Sequence, residues 1–486
     1  MPAMKSLLMP SLLVIGGIAI GVGVMAFINR TPAGLKTPVT QTTPAPAPKP
    51  LPGQELPQVD PNATSDTKEA MAALSDAVHT VDRDKRWQML RDLAEKLVDK
   101  DVKLAVETGL KIPDQDDRLE FMRALFAKWG TKDPKAAADY AKANFKPGLL
   151  LNESLVAVVE KWAAKDPKAA YDWAQENTSG PLKEETLNTL VMGWTRVDPV
   201  AASQWFVSTG STSQNLLNAL VSTWADLDVK AAAAWVETLA NADNKTLGRV
   251  VLANEWVKQD PAAATKYFEP MIKDKSGLDI GVALMNTWGT NDPSAASDWV
   301  GALDPGPVKN EMAGTLATIW AAHDINSATK WSEKLEDKDM KDMVIDHLGT
   351  TWGAIEPAKA IDWIRTLPQD DARNEATRGA FNSWAATDPP GLAKWINTAQ
   401  PGPETDIARL NLGEVLLDQY PADAIAQAMG INDPTTRTDE VGKFFRRWRK
   451  ADDASAQRWL REQWNGFTPD VQARLTKEQQ RRVIPK

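Results

Sequence analysis

Hydrophobic positions along most of the chain follow the spacing of one helix face. Ahead of Trp194 they fall at Leu187, Leu190 and Val191, which is the i, i+3, i+4, i+7 spacing of a single buried stripe. The stripe ahead of Trp224 has the same spacing. No segment of the sequence shows the strict alternation that is typical of a strand. The pattern therefore predicts an all-α protein.

The residue that closes each stripe recurs at a nearly fixed interval, in a chain of 486 residues with 20 Trp and only 4 Tyr. The first three intervals are 33, 32 and 30 residues, and the next seven are all 32. A period of this length is typical of helical repeats. The eleven anchor residues are Trp129, Trp162, Trp194, Trp224, Trp256, Trp288, Trp320, Trp352, Trp384, Leu416 and Trp448.

Four positions after the anchor stands an Asp in nine of the eleven units, and Pro follows at once in most of them. An Asp side chain accepts a hydrogen bond from a free amide of a first helical turn, and Pro fits the first helical position. Each Asp is therefore predicted to begin a second helix. Glu356 and Tyr420 replace the Asp in the other two units.

Two further positions recur within the second helix. Ala stands eight residues after the anchor in ten units, with Leu392 as the exception, and such a small side chain lets helix backbones approach closely. An aromatic residue stands eleven after the anchor in ten units, with Gln427 as the exception. Aromatic residues in such a register favour core packing, and a stripe that stacks against a ligand is the alternative.

One segment carries a resemblance to a known repeat family. Residues 166–173 read Asp-Pro-Lys-Ala-Ala-Tyr-Asp-Trp, and this resembles the junction of tetratricopeptide repeats, as do most units between residues 97 and 465. The unit departs from that family, because it has 32 residues instead of 34 and lacks the Leu-Gly and Tyr that should follow the Trp. The resemblance implies a helical-hairpin repeat solenoid, a superhelix that holds proteins together, and no peptide-binding residues are carried over.

The amino-terminal part has a different composition. Residues 12–28 contain no charge, so residues 1–30 predict a transmembrane helix, with a cleaved signal segment ending near Ala26 as the alternative. Residues 31–65 form a Pro-rich linker, which we expect to be an extended spacer. We expect a single pass through the inner (cytoplasmic) membrane, with the solenoid facing the periplasm or cell exterior. Exposure to the cytoplasm, in an inner-membrane complex, is a weaker alternative.

The remainder divides by how well the repeat is kept. Residues 66–128 are predicted to be capping helices and a degenerate repeat, in which Leu97, Asp101 and Ala105 align with the later units. Residues 129–465 are the 32-residue repeats, and residues 466–486 form a basic tail. The degenerate unit at Leu416 is expected to bend the stack locally, because it lacks its usual aromatic and acidic residues.

The search for catalytic chemistry returns no candidate residue. The chain has no Cys, no Walker A or GxSxG motif, and three single histidines, His79, His323 and His347. The Asp residues recur in register at helix starts, which capping explains without a catalytic pair. We therefore expect no enzyme, no cofactor and no metal site. The net charge of −9 argues against a nucleic-acid partner.

One local charge pattern suggests a contact surface. From residue 443 to the end there are 12 Lys or Arg and 5 Asp or Glu, a net charge of +7 that leaves −16 on the rest. We interpret this run as a patch for an anionic partner, with a solvated cap or the acidic body of a second copy, in a homo-oligomer, as alternatives. The patch residues are Lys443, Arg446, Arg447, Arg449 and Lys450.

The sequence thus predicts a membrane-tethered scaffold or adaptor that binds an unidentified protein partner through its repeat surface. The alternative is a helical protein that binds or cleaves cell-wall carbohydrate.

Overall fold

The described part of the protein is helical throughout. The computed structural model describes Leu56, residues 60–273 and residues 275–480, and within them the regular secondary structure consists of helices without strands. The predicted anchor at 1–30 and most of the linker at 31–65 lie outside the described residues. Among the helices that are described, none is long and apolar enough to cross a membrane.

Most helices occur in pairs that follow the 32-residue period, and short 3₁₀ turns occupy Glu269–Met271, Lys275–Gly277 and Trp464–Gly466. In chain order the α-helices are α1 Ser65–Val78, α2 Arg83–Lys100, α3 Val102–Gly109, α4 Gln115–Lys132, α5 Pro134–Asn144, α6 Leu149–Ala163, α7 Pro167–Asn177, α8 Gly180–Val197, α9 Pro199–Ser208, α10 Gln214–Glu237, α11 Ala242–Gln259, α12 Pro261–Phe268, α13 Leu278–Asn291, α14 Pro293–Ala302, α15 Pro307–Lys334, α16 Lys338–Ile355, α17 Pro357–Thr366, α18 Asp371–Thr387, α19 Pro389–Thr398, α20 Pro403–Leu416, α21 Pro421–Met429, α22 Pro434–Ala451, α23 Asp453–Gln463 and α24 Pro469–Gln480.

Each unit has a helix A that contains the anchor and a helix B that begins after the Asp. The Asp amide still donates to the anchor carbonyl, as in Asp166 to Trp162 at 2.9 Å, but its own backbone is extended and ends helix A. Its carboxylate accepts the amide three residues on in all nine units, at 2.9–3.1 Å. The predicted capping role of Asp is therefore confirmed.

Two units show that Pro is not needed for the break between helices. Asp228 and Asp324 are followed by Val229 and Ile325, and each lies inside a continuous stretch, α10 or α15. Both Asp residues nevertheless have φ near −150° and ψ near +90°, the same extended backbone as in the Asp-Pro units. The packing of helix B against helix A, together with the Asp side chain, is therefore enough to produce the sharp change of chain direction between the two helices, which we call the corner.

Helix A of one unit packs against helix A of the next, from α2 through α4, α6, α8, α10, α11, α13, α15, α16 and α18 to α20. Helices B pack mainly against the flanking helices A, and they lie further from one another. The approach between α16 and α18 is very close, because a Cβ on Gly353 would lie 2.5 Å from the Ala380 Cα. This regular packing is consistent with a helical-repeat solenoid.

The repeated small and aromatic positions form the interior of each unit. All ten Ala residues at the position eight after the anchor, and Leu392 as well, are fully buried. The two aromatic residues of a unit pack against each other with ring centroids 4.9–6.2 Å apart in ten units. Five of the ten anchor tryptophans are buried and the other five are partly buried, so the prediction of core packing is confirmed for the anchors.

The array is irregular between residues 356 and 427, which we call the irregular segment. Glu356 and Tyr420 make no capping bond from their side chains, although their backbones turn the corner as the Asp residues do. The hydrophobic core is continuous up to Leu348, and it divides into separate clusters around Phe381 and around Phe444. The backbones of α20 and α22 are not closely packed, so the series of packed helices A is interrupted at the Leu416 unit. The local bend expected at this unit stays a prediction.

The amino-terminal end of the described array agrees with the alignment predicted from the sequence, whereas the carboxy-terminal end contains a helix that was not predicted. At the amino-terminal end, Asp101 caps α3 and Ala105 is fully buried, so this degenerate unit has the same local structure as the later ones. At the carboxy-terminal end, residues 469–480 of the predicted basic tail form α24, which packs on α22 through buried Val471 and Leu475.

Candidate binding cleft

The edge of the array where helix B connects to the next helix A carries a series of clefts. A cleft of about 880 Å³ lies between the loop after α17 and the loop after α19, and we call it the edge cleft. Corresponding positions near Gly148 and near Pro305 hold clefts of about 460 and 110 Å³. The edge cleft therefore stands out by size, and it lies inside the irregular segment.

Most of the residues that line the edge cleft are polar. Amide side chains come from Gln369, Asn374 and Gln400, and hydroxyls come from threonines of α18, α19 and α20. Amides offer both donors and acceptors, so such a lining can hydrogen-bond groups of either kind. The charged and aromatic members are Arg365, Arg373, Glu404 and Trp395.

Arg365 and Glu404 form the strongest charged contact at the edge cleft. The Arg365 guanidinium donates to one Glu404 oxygen from Nε at 3.0 Å and from Nη2 at 2.7 Å. This hydrogen bond raises the pKa of Arg365. Arg365 also donates from Nη1 to Asp362 at 3.2 Å, from the solvent side. Two carboxylates therefore share Arg365, which leaves little of its charge for a ligand.

Arg373 is bound less completely. Its Nη1 donates to the Leu367 carbonyl at 3.2 Å, and its Nη2 lies 3.8 Å from the second Glu404 oxygen, which is too far for a hydrogen bond. A guanidinium has five N–H donors, so most donors of Arg373 remain available at the wall of the cleft. Its side chain is 18% exposed, and the backbone bond fixes its position.

This Arg belongs to a repeated structural contact that sequence reasoning missed. Eleven residues before the anchor, an Arg donates to the carbonyl six residues earlier, in the loop after the preceding helix, at 2.8–3.2 Å. The signal was present, because Lys or Arg recurs at this position, but it is shared by only part of the units. The four arginines are Arg86, Arg118, Arg373 and Arg437.

Trp395 is the aromatic wall of the edge cleft. It is partly buried, and its ring packs against Phe381 at 5.0 Å and against Trp384 at 5.8 Å between centroids. Because two neighbouring rings already cover it, the indole presents only part of its surface to the cleft. It limits the cleft on one side and offers little area for stacking.

Two residue substitutions of the irregular segment lie on α19, which contributes residues to the cleft, and on α21, which packs against α20. Leu392 is fully buried at the position where other units have Ala, so helix B of this unit must pack around a larger side chain. The next unit has Gln427 in place of the second aromatic residue, and Gln427 accepts a hydrogen bond from Arg409 at 3.2 Å. The edge cleft thus lies in the part of the array where each of two consecutive units lacks a residue that recurs in the other units.

The predicted basic patch lies on α22, and four of its five cations have carboxylate partners within the protein. Lys443 lies 2.8 Å from Glu414 of α20, and Arg447 binds the same carboxylate. These two cations outweigh the effect of burial and lower the pKa of Glu414. They bridge α20 and α22, where the close packing of helices A is interrupted.

The other patch residues differ from each other in exposure. Arg446 reaches the fully buried Glu478 of α24 at 3.5 Å, and Arg449 is itself buried, with Asp453 at 2.6 Å. Lys450 is exposed, and it has no charged partner among the described residues. The patch as a surface for an anionic partner remains a prediction, and much of its charge is used in holding α20, α22 and α24 together.

The three histidines lie far apart in the sequence and make separate contacts. His79 is exposed and its Nδ1 contacts the Ser75 carbonyl at 2.7 Å, and His323 is exposed. His347 is partly buried, with its Nδ1 3.0 Å from the Thr318 hydroxyl, and burial lowers its pKa. Within the described residues no three His, Asp or Glu side chains are arranged to hold a metal ion.

Comparison with known proteins adds no family assignment, since the chain matches no protein-family model and no curated protein.

Proposed function

We propose that the chain is a non-enzymatic scaffold that binds a protein partner through a tetratricopeptide-like solenoid. The single observation that supports this most is the edge cleft. The repeated Asp and Ala residues are used in capping and in the core, whereas this cleft, with the repeated aromatic Trp395 on one wall, is left open in the irregular segment. The cleft is formed between packed helices before any ligand arrives, and a preformed binding surface lowers the cost of binding.

The membrane tether is part of the same proposal. An anchor at residues 1–30 and an extended linker at 31–65 would hold the array some tens of Å from the inner membrane, on its periplasmic side. Protease added to spheroplasts tests this orientation. Digestion of the array in intact spheroplasts is the expected result, and protection until the membrane is lysed would contradict it.

A capture experiment tests the scaffold role itself. The full-length chain, solubilised from membranes, is used as bait at several salt concentrations, and captured proteins are tested again as purified components. We expect one defined protein that is captured by the bait and binds again as a purified component. Its binding should weaken as the salt concentration rises, because charged residues line the cleft. Recovery of no protein that binds again after purification would count against the scaffold.

Carbohydrate binding is the second candidate, because amides, an arginine and an indole line the edge cleft. Sugar rings stack on open aromatic faces, and the covering of Trp395 by Phe381 and Trp384 leaves less room for this. Incubation with purified cell-wall polymers tests it. Retention on the polymer, or newly formed chain ends, would favour this candidate over the scaffold.

A further inference from the structure

We infer that the edge cleft binds an extended peptide segment that carries an acidic side chain, with Arg373 as the residue that pairs with that carboxylate. This assignment rests on the proposed scaffold function, and it names the part of the surface and the chemistry of the segment that is bound.

The charge at the cleft favours an acidic ligand. The charged residues that line the cleft are Arg365, Arg373 and Glu404, which together carry a net charge of +1. Glu404 is hydrogen-bonded to Arg365, and Asp362 contacts Arg365 from outside the lining. Of the two arginines that line the cleft, Arg373 is the one without a hydrogen-bonded carboxylate among the described residues. A ligand carboxylate can accept its remaining N–H donors in the paired geometry that guanidinium favours. The lining of the cleft thus carries one positive charge in excess, in a chain of net charge −9.

The neutral lining favours a polypeptide. Gln369 and Gln400 flank the cleft from its two loops, and Asn374 comes from the first turn of α18. All three amides are exposed, and each can donate to a peptide carbonyl and accept from a peptide N–H. A glycan would gain most from an open aromatic face on which a sugar ring can stack, and the packing of Trp395 restricts that face. An extended chain needs only the hydrogen bonds that the amides offer.

The position of Arg373 is fixed before any ligand arrives. Its bond to the Leu367 carbonyl joins the loop after α17 to the start of α18. A cation held in this way loses little side-chain freedom when it pairs with a carboxylate, so more of the contact energy is available for binding. Arg437 makes the matching backbone bond to Ile431 in the unit after next. Arg437 therefore serves as a control for the structural part of the contact.

The test uses the full-length chain and three labelled peptides of alternating sequence, Glu-Ser, Gln-Ser and Lys-Ser, with binding followed by fluorescence anisotropy. We expect the Glu-Ser peptide to bind, the other two to bind more weakly, and Arg373→Glu to lower the affinity on the order of tenfold to a hundredfold. Arg437→Glu removes the same kind of backbone bond and should leave the affinity unchanged. Melting curves of both variants show whether each is folded.

Several outcomes would overturn the assignment. These are equal binding of all three peptides, no binding of the Glu-Ser peptide, or loss of binding on Arg118→Glu instead of Arg373→Glu, which would place the site at the cleft near Gly148. Binding of oligogalacturonate in place of the peptide would make the cleft a glycan site. If the captured partner binds wild type and Arg373→Glu equally, the scaffold stands and the cleft assignment fails. If no partner is captured, the scaffold fails.

Discussion

The regular units anchored at Trp162 to Trp320 and the irregular segment at 356–427 share one period but differ in how each helix corner is stabilised. In the regular units an Asp carboxylate caps helix B, and a buried Ala lets the helices meet closely. In the irregular segment Glu356 and Tyr420 turn the same corner without a capping bond, and Leu392 replaces the Ala. The comparison teaches that packing sets the corner, and that the capping bond adds to stability without determining the fold.

The two regions also differ in the size of the clefts at the edge of the array. The regular units leave a cleft of about 110 Å³ at the edge position near Pro305, and the cleft near Gly148, beside the amino-terminal degenerate unit, measures about 460 Å³. The irregular segment leaves about 880 Å³ at the corresponding edge. Departures from the repeated plan therefore coincide with the site that we assign to binding.

The largest expected effect is at Leu392. Because this side chain is fully buried, Leu392→Ala should lower the free energy of unfolding by about 2–4 kcal/mol through the cavity it leaves. If Leu392 also holds the cleft open, the Glu-Ser peptide should bind less tightly. Denaturant unfolding and anisotropy measure the two effects. An unchanged unfolding midpoint would mean that the packing of α19 does not depend on the larger side chain of Leu392.

The next effect is at the tight contact between α16 and α18, where the irregular segment begins. Gly353→Ala places a methyl group against the Ala380 backbone and should cost about 1–3 kcal/mol. Gly301→Ala is the matched control, since Gly301 lies in α14 with open space around it and should be neutral or slightly stabilising. Equal melting temperatures for the two variants would show that α16 and α18 are not so close.

A smaller effect is expected from the capping residues. Asp166→Ala removes the bond to the Ala169 amide and should cost about 1 kcal/mol. Glu356→Ala removes only an exposed contact with Lys359 and should change stability clearly less, whereas Glu356→Asp should stabilise by supplying the missing cap. Thermal melts of the three variants check this order. A larger loss at Glu356 than at Asp166 would reverse our reading of the two regions.

The smallest expected effect is a pH dependence of stability that comes from the Asp residues at the start of helix B. Hydrogen bonds with Ser455 and with Ser327 hold the pKa of Asp452 and of Asp324 below the usual value. A folded-state pKa below the unfolded one gives stability that is present above about pH 4 and is lost as the pH falls through the lowered pKa. Asp452→Asn keeps a capping acceptor that does not titrate.

The melting temperature of Asp452→Asn should therefore fall less steeply between about pH 5 and pH 3 than that of the wild type. If the melting temperatures of the two proteins fall in parallel in acid, this carboxylate makes no contribution to the pH dependence. A steeper fall for Asp452→Asn would mean that folding raises the pKa of Asp452.

Much of the fold follows from the sequence because each unit repeats the same local chemistry. The cap at Asp166, the small Ala170 between the helices and the core packing of Trp162 and Trp173 were predicted from their spacing, and the contact between the two rings is an addition from the structure. The membrane anchor and the partner are not tested by the described residues and stay predictions.

The candidate site could not be read in the same way. The hydrogen bonds of Arg365 to Glu404 join residues 39 positions apart, across units, and no local pattern marks them. The interruption at Leu416 was visible as a lost repeat residue, but the cleft beside it depends on how α18, α19 and α20 separate. Likewise, the basic run at 443–450 looked free in the sequence, and only the fold brings Glu414 and Glu478 to it.

Hydrogen–deuterium exchange of the full-length chain, with and without the Glu-Ser peptide, tests the central claim most directly. The account predicts slower exchange in residues 365–407, around the edge cleft, and unchanged exchange in the regular units from α7 to α14. Slower exchange that is spread over the regular units, or confined to them, would contradict the claim that the peptide binds at the irregular segment.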